Sequence, residues 1–224
     1  VFTSPTLSDD MYRYVWDGRV QAQGISPYLY APKAPELAYL QDDTIWTHIN
    51  RKAVVTVYPP AAEMAYALLW RIWPDSVRWF QIAMGLGGLL GGGLLVGLLQ
   101  AIGRAPARVL IYLWSPLLAF ETAHAAHVDG LILPLLVGTW WARVKERDTL
   151  VGILLGLATA MKFYPALLLP ALAAHHDVVA VVDCAGLDGG GLHLRGASSR
   201  GKSTILRAAV SVWGAPRFLG SWRA

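Results

Sequence analysis

Two adjacent carboxylates, Asp9 and Asp10, open the run SDDMYRYVWDGRVQAQGISPY (Ser8 to Tyr28), and Arg13, Asp17 and Arg19 follow closely. A carboxylate beside a substrate hydroxyl accepts its proton as attack proceeds, the work of a general base. A guanidinium holds a phosphate through two parallel N–H donors. The same stretch also reads as a solvated face on which Arg13 pairs with Asp9 or Asp17 along a local helix. A second polar group, ETAHAAHVDG, brings Glu121, His124, His127 and Asp129, and Lys162 follows in KFYP. His124 and His127 are spaced to reach one metal, but two histidines without a second pair assign no metal. Asp129 either joins a site or caps a helix starting at Gly130. Lys162 either meets a substrate or snorkels to a membrane interface. His48, Asn50, Arg51 and Lys52, in HINRK, complete the polar set.

These groups stand in a greasy chain. Hydrophobic residues make up 55% of the 224 positions and charged residues 15%, against about 25% charged in soluble domains. Ten Trp and nine Tyr suit a membrane protein anchored at its interfaces by aromatic rings. The net charge of +4 and the lack of a Lys/Arg tract give no nucleic-acid footprint for the main body. Cys184 is the single cysteine, so no intrachain disulfide forms. The chain starts at Val1, which suggests a true start farther upstream.

Trp79 to Ala101 carries no charge and is long enough to cross a hydrocarbon core of ~30 Å. Further apolar runs lie at Val109 to Phe120, Leu131 to Ala142, Leu150 to Met161 and Ala166 to Ala173. Tyr58 to Pro74 is different. It holds Glu63 and Arg71, with Met64, Leu68 and Ile72 and then Ala61, Ala65 and Leu69 at helical spacing, and reads as an amphipathic helix at the interface. The cations of GRAPAR and ARVKERD place those connections in the cytoplasm. Residues 79–101 then run inward, 107–122 outward, 130–142 inward and 149–161 outward. On that path the opening stretch, Glu121–Asp129 and Lys162 share the non-cytoplasmic face.

The segments SDDMYRYVWDGRVQAQGISPYLYAP, HIN…VYPPAAE, ETAHAAHVDG and GLATAMKFYPALLLP occur in this order. So arranged, residues 1–173 resemble bacterial polyprenyl-phosphate-dependent glycosyltransferases of the membrane-embedded GT-C fold, most nearly the mannosyltransferase type. The resemblance implies a catalytic carboxylate in the first extracytoplasmic loop, where Asp9 and Asp10 stand, with Asp9 the favoured base and Asp10 orienting it or the acceptor. It implies a lipid-phosphate sugar as donor, usually mannose, and displacement by an acceptor hydroxyl with inversion. The acceptor would be a glycan or glycolipid, and the site would face outward from a bacterial plasma membrane. Arg13, Arg19, Arg51, Lys52 and Lys162 are the candidates for holding the leaving phosphate. His48, Glu121, His124, His127 and Asp129 join Arg13, Arg19 and Lys162 as candidate substrate-binding residues. Family helices expected before Ser8 and after KFYPALLLP are missing, which suggests a piece of a transferase.

After Ala174 the composition changes, and Gly196-Ala-Ser-Ser-Arg-Gly201-Lys202-Ser203 matches the P-loop pattern. A strand at Leu192 to Leu194 would lead in, and Thr204 to Val212 would form the following helix. Backbone N–H groups would cradle phosphates, Lys202 would reach the β/γ oxygens and Ser203 would ligate Mg²⁺. Gly196, Gly201, Lys202, Ser203 and Thr204 are thus candidate nucleotide-binding residues. Residues 186–224 resemble phage- and plasmid-associated helicase-like ATPases, but one strand and one helix cannot cover a parallel-sheet core, so the segment reads as a fused fragment.

The expected architecture is mainly α: an incomplete, GT-C-like polytopic helical bundle over 1–173, a junction over 174–185, and a short strand–P-loop–helix over 186–224. Within the first part, 1–57 is an extracytoplasmic loop, 58–74 the interfacial helix and 79–173 the membrane helices. The leading function is hexose transfer, with no cofactor firmly implied and ATP with Mg only through the P-loop. The alternative is a nucleotide-binding module tethered to a membrane segment.

Overall fold

The computed structural model describes residues 8–173 and the backbone of two short strands, Val181–Asp183 (β1) and His193–Arg195 (β2). The stretch read as water-facing is instead the helix α1, Asp10–Ala22, buried at every position from Met11 to Val20. Its charges account for the difference, because they turn inward and pair. Arg13 Nε donates to both Asp17 oxygens at 2.8 and 3.0 Å, and Arg19 reaches Asp42 at 2.7 Å and Asp75 at 2.8 Å. Burying a charge costs many kcal/mol unless it is paired and hydrogen-bonded, so these partners are what permit α1 to sit inside. Short 3₁₀ turns at Pro35–Leu40 and Trp46–His48 wrap it, contributing Leu37, Ile45 and Ile49 to the core.

The helix α2, Pro60–Ile72, begins with proline in its first turn, where a missing N–H costs little. It packs on α1 through Ala62, Glu63 and Tyr66. Gly18 makes that approach possible, since a Cβ there would lie 2.7 Å from the Tyr66 carbonyl oxygen. The two apolar stripes of the sequence part here. Ala61, Ala65 and Leu69 pack against the core, whereas Met64, Leu68 and Ile72 stay exposed.

The helix α3, Val77–Ala101, starts where Ser76 Oγ accepts the Trp79 N–H at 3.1 Å. Its 25 residues span about 38 Å at ~1.5 Å per residue, more than the ~30 Å core of a bilayer. Among the described residues it is the one helix long and apolar enough to cross. The outward run expected over 107–122 is broken. It forms α4 (Val109–Leu113), α5 (Pro116–Leu118) and a π-helical turn at Ala119–His124. Pro116 explains the break: it donates no N–H and drives Ser115 out of the helical region, to φ −69°, ψ 117°. The expected 130–142 and 149–161 runs appear as α6 (Asp129–Val144) and α7 (Asp148–Met161), each shorter than a full crossing. A 3₁₀ turn at Tyr164–Leu168 and α8 (Leu169–Ala173) close the bundle.

The helix α6 lies against α3 on one side and α7 on the other, and α7 also touches α2. At the α3–α6 contact the backbones nearly touch. A Cβ on Gly87 would lie 2.3 Å from the Gly130 oxygen, and one on Gly130 2.4 Å from the Met84 oxygen. The core joins Met11, Tyr14, Val15 and Trp16 of α1 with Tyr66, Phe80, Met84, Val128, Ile132 and Ala158. In the tail, β2 overlaps the expected Leu192–Leu194 strand but pairs antiparallel with β1, Val182 opposite Leu194. That ladder does not establish a strand–P-loop–helix unit. Gly196, Gly201, Lys202, Ser203 and Thr204 lie outside the described residues.

Candidate active site

Asp9 and Asp10 stand at the N-terminal end of α1, the end that emerges from the core. Asp9 is exposed, and its carboxylate makes no hydrogen bond to any described residue. Asp10 is fixed. Asn50 Nδ2 donates to its Oδ1 at 3.0 Å across 40 positions of sequence, and its own N–H donates to Ser8 Oγ at 3.3 Å. One of the pair is thus oriented while the other is open to whatever occupies the surface.

Ser8 links this end to the loop after the π-helical turn. Its Oγ lies 3.1 Å from His127 Nε2, and His127 Nδ1 lies 2.5 Å from Glu121 Oε2. With Nδ1 protonated, the ring donates to Glu121 and accepts from Ser8. The loop that presents His127 is shaped by Ala126, held at φ 53° in the left-handed region, and by the His127 N–H on the Glu121 carbonyl at 2.9 Å. His124 takes a separate place, half-stacked on Phe120 with ring centroids 4.7 Å apart, and buried. Among the described residues no group of three or more His, Cys, Asp or Glu is placed to hold a metal.

Asp129 does not cap α6, which begins with Val128 as its flanking residue and no side-chain cap. Its carboxylate instead accepts from Lys162 Nζ at 2.7 Å and from the Tyr164 hydroxyl at 3.3 Å. Lys162 is therefore an ion-pair partner at the end of α7. Burial, and then the Asp129 charge, push the Tyr164 phenol up to about 12. Tyr14 of α1 lies in the electrostatic field of the Asp10 and Asp129 carboxylates. Burial holds that phenol well above its ordinary value, and Tyr58, Asp10 and Asp129 add to the shift. Tyr14 belongs to an aromatic column, stacking on Tyr66 at 4.4 Å and meeting Tyr58 edge-on at 5.0 Å. His48 stacks on Tyr12 at 4.7 Å beside them.

Arg13 and Arg19 are placed elsewhere. Arg13 is buried one turn deeper, on Asp17, and its Nη1 donates to the Val54 carbonyl at 3.0 Å. Arg19 sits nine residues beyond Asp10, about 13 Å along the helix, in its pairs with Asp42 and Asp75. Sequence reasoning assigned Glu63 no role beyond its charge. It is buried against α1, accepting from Thr56 Oγ1 at 2.7 Å and from Gln21 Nε2 at 2.9 Å. Burial, then the Asp17 charge, hold its carboxyl well above the usual range. Its polar type inside an otherwise apolar helix start was the available signal.

A family model described as alpha-(1->6)-mannopyranosyltransferase, N-terminal domain, matches residues 1–177. A second, described as a domain of unknown function (DUF927), matches residues 161–224. The chain is similar to GPI mannosyltransferase 1 of Aspergillus fumigatus, 31% identical over 123 residues, covering 51% of this chain and 28% of that protein. GPI mannosyltransferase 1 of Aspergillus oryzae is 28% identical over 107 residues, 46% of this chain and 26% of that protein. The Gibberella zeae protein of the same name is 31% identical over 88 residues, 38% of this chain and 21% of that protein. The chain therefore spans about a quarter of the length of the curated relatives it matches. No solved structure matches it. Since the first match takes in most of the chain, the acidic helix end and the bundle behind it included, this protein belongs to the alpha-(1->6)-mannopyranosyltransferase family.

Proposed function

We propose that this chain carries the catalytic face of a mannosyltransferase that moves a hexose from a polyprenyl-phosphate sugar to the hydroxyl of a glycan or glycolipid. The acceptor oxygen attacks the anomeric carbon while the bond from that carbon to the phosphate oxygen breaks. The electron pair leaves with the lipid phosphate, and the hydroxyl proton passes to a carboxylate. Asp9 is the base and Asp10, held by Asn50, orients the acceptor. Glu121, His127, Asp129 and Lys162 line the same face, where the sugar hydroxyls need donors and acceptors. The reaction sits on the outer face of a bacterial plasma membrane, with α3 as one span of a polytopic bundle.

The observation that carries this reading is the contrast within the acidic pair at the exposed end of a buried helix. Asp10 is tied down by Asn50, and Asp9 is left free to take a proton. The test is a donor panel on purified protein in lipid nanodiscs, with labelled mannose on polyprenyl phosphate set against labelled GDP-mannose. Transfer from the lipid donor alone supports the reading. Transfer from the nucleotide sugar alone refutes it.

A further inference from the structure

Asp10, Arg13, Asp17 and Gln21 recur every three or four residues of α1, so they form one stripe along the helix. The segment from Asn50 to Thr56 follows that stripe in order. Asn50 Nδ2 donates to Asp10 Oδ1 at 3.0 Å, and the Val54 carbonyl accepts from Arg13 Nη1 at 3.0 Å. Thr56 Oγ1 then donates to Glu63 Oε1 at 2.7 Å. Glu63 is tied to the far end of the stripe, because Gln21 Nε2 donates to its Oε2 at 2.9 Å and to its carbonyl at 3.0 Å. Among the described residues from Asn50 to Tyr58, Thr56 alone is buried. It is the inward anchor of an otherwise open segment.

Between Asn50 and that anchor the backbone is strained. Arg51 is held at φ 46°, a conformation that costs a non-glycine residue about 1–3 kcal/mol and persists only where surrounding contacts fix it. The contacts that fix it are the Val54 N–H on the Arg51 carbonyl at 3.0 Å, the Lys33 N–H on the Lys52 carbonyl at 3.0 Å and the Thr56 N–H on the Pro27 carbonyl at 3.3 Å. Lys52 Nζ closes the turn on the Thr47 carbonyl at 2.8 Å. Resting on the proposed function, we infer that Thr56 and Glu63 are positioning residues for Asp10: they pin the 50–56 segment to α1 and so hold the Asn50 amide on the Asp10 carboxylate. When the Thr56 anchor is lost, the strained turn relaxes, Asn50 withdraws and the Asp10 carboxylate is free to rotate. A misplacement of about 1 Å can cost about 10²-fold in rate. A buried hydroxyl that touches no substrate thus reaches the chemistry through one amide.

The test is a double-mutant cycle between Thr56 and Asn50 on the full chain in nanodiscs, read as kcat and KM for transfer from polyprenyl-phosphate mannose. Thr56→Val nearly keeps the shape and removes the hydroxyl. It should lower kcat about tenfold with KM for the donor little changed, and Thr56→Ser should recover most of the loss. Asn50→Ala should lower kcat to a similar extent. Adding Thr56→Val to Asn50→Ala should lower it no further, because both act through the same contact. Hydrogen exchange on the same samples should rise across residues 50–56 in Thr56→Val. It should stay as in wild type in Thr139→Val, which removes a buried hydroxyl bonded within α6. Additive losses in the cycle, or unchanged exchange across 50–56 in Thr56→Val, overturn the inference and leave the transferase reading standing. A wild-type rate in Asn50→Ala overturns it together with the orienting role given to Asp10 above.

Discussion

Replacing Glu63 by Gln should leave stability at neutral pH within about 1 kcal/mol of wild type, although the residue is buried and hydrogen-bonded. One guanidinium, Arg13, is paired with Asp17, and its charge also acts on the buried Glu63 carboxyl. Two ionised carboxylates would leave a net buried charge, so the arrangement is satisfied when one of them keeps its proton. Burial raises both, Glu63 further, and Arg13 bonds both Asp17 oxygens, an arrangement that favours the charge on Asp17 and the proton on Glu63. Gln is close in shape to that protonated acid, which is why the change costs little. Arg13→Met, by contrast, leaves Asp17 without its cation and frees Val54, and removing one partner of a buried pair costs about 3–5 kcal/mol. Asp17→Asn should fall between, because Glu63 then ionises as the counter-ion of Arg13.

The sign with pH follows from the direction of the Glu63 shift. A carboxyl raised in the folded state contributes stability that is complete below its unfolded value, near 4.5, and is lost as pH rises through its folded value. Wild-type stability, followed by tryptophan fluorescence in detergent, should therefore fall as pH rises, and Glu63→Gln should remove most of that slope. A Glu63→Gln variant as unstable as Arg13→Met at pH 7, or a wild type whose stability climbs steadily with pH, would refute the shared-proton account.

Other outcomes follow from the same contacts. His127→Ala removes the bridge between Glu121 and Ser8 and should lower transfer about 10- to 100-fold at unchanged expression, with Gln restoring part of it; an unaffected rate would show that the bridge positions nothing. Cysteines at Asp43 and Ala105, both exposed, in a Cys184→Ser background should react oppositely with an impermeant thiol reagent, Asp43 from outside and Ala105 not, and the reverse pattern would invert the membrane orientation. Lys202→Ala should leave sugar transfer unchanged, and ATP binding lost in that variant would make the nucleotide-binding alternative a live one.

The apolar runs that became α3, α6 and α7 were legible because charges or prolines bound them and little else competes with burial there. The Pro116 break was also written in the sequence, yet an apolar run of the right length concealed it. The opening stretch misled for a physical reason: charged residues read as solvated, whereas Arg13, Asp17 and Arg19 find partners inside the protein. No local pattern marks a partner that lies 41, 23 or 56 positions away. The Asn50–Asp10 and Lys162–Asp129 contacts, which shape the candidate site, were unreadable for the same cause. Asp9 and Asp10 stood out as a pair by residue type and position, but that one is tied and the other free is a tertiary fact.

The proton acceptor at the end of α1 is the centre of the proposed transfer. Transfer from polyprenyl-phosphate mannose to a membrane acceptor should be measured on matched amounts of purified wild type, Asp9→Asn and Asp10→Asn, in a full-length homologue with the same SDD motif. An amide nearly matches a carboxylate in shape but takes no proton, and a positioned base contributes typically 10²–10⁴-fold. Asp9→Asn should therefore lose about that factor in rate with donor binding intact, and Asp10→Asn should lose less. Wild-type rates in both variants would contradict the account and return the acidic pair to the role of a solvated helix end.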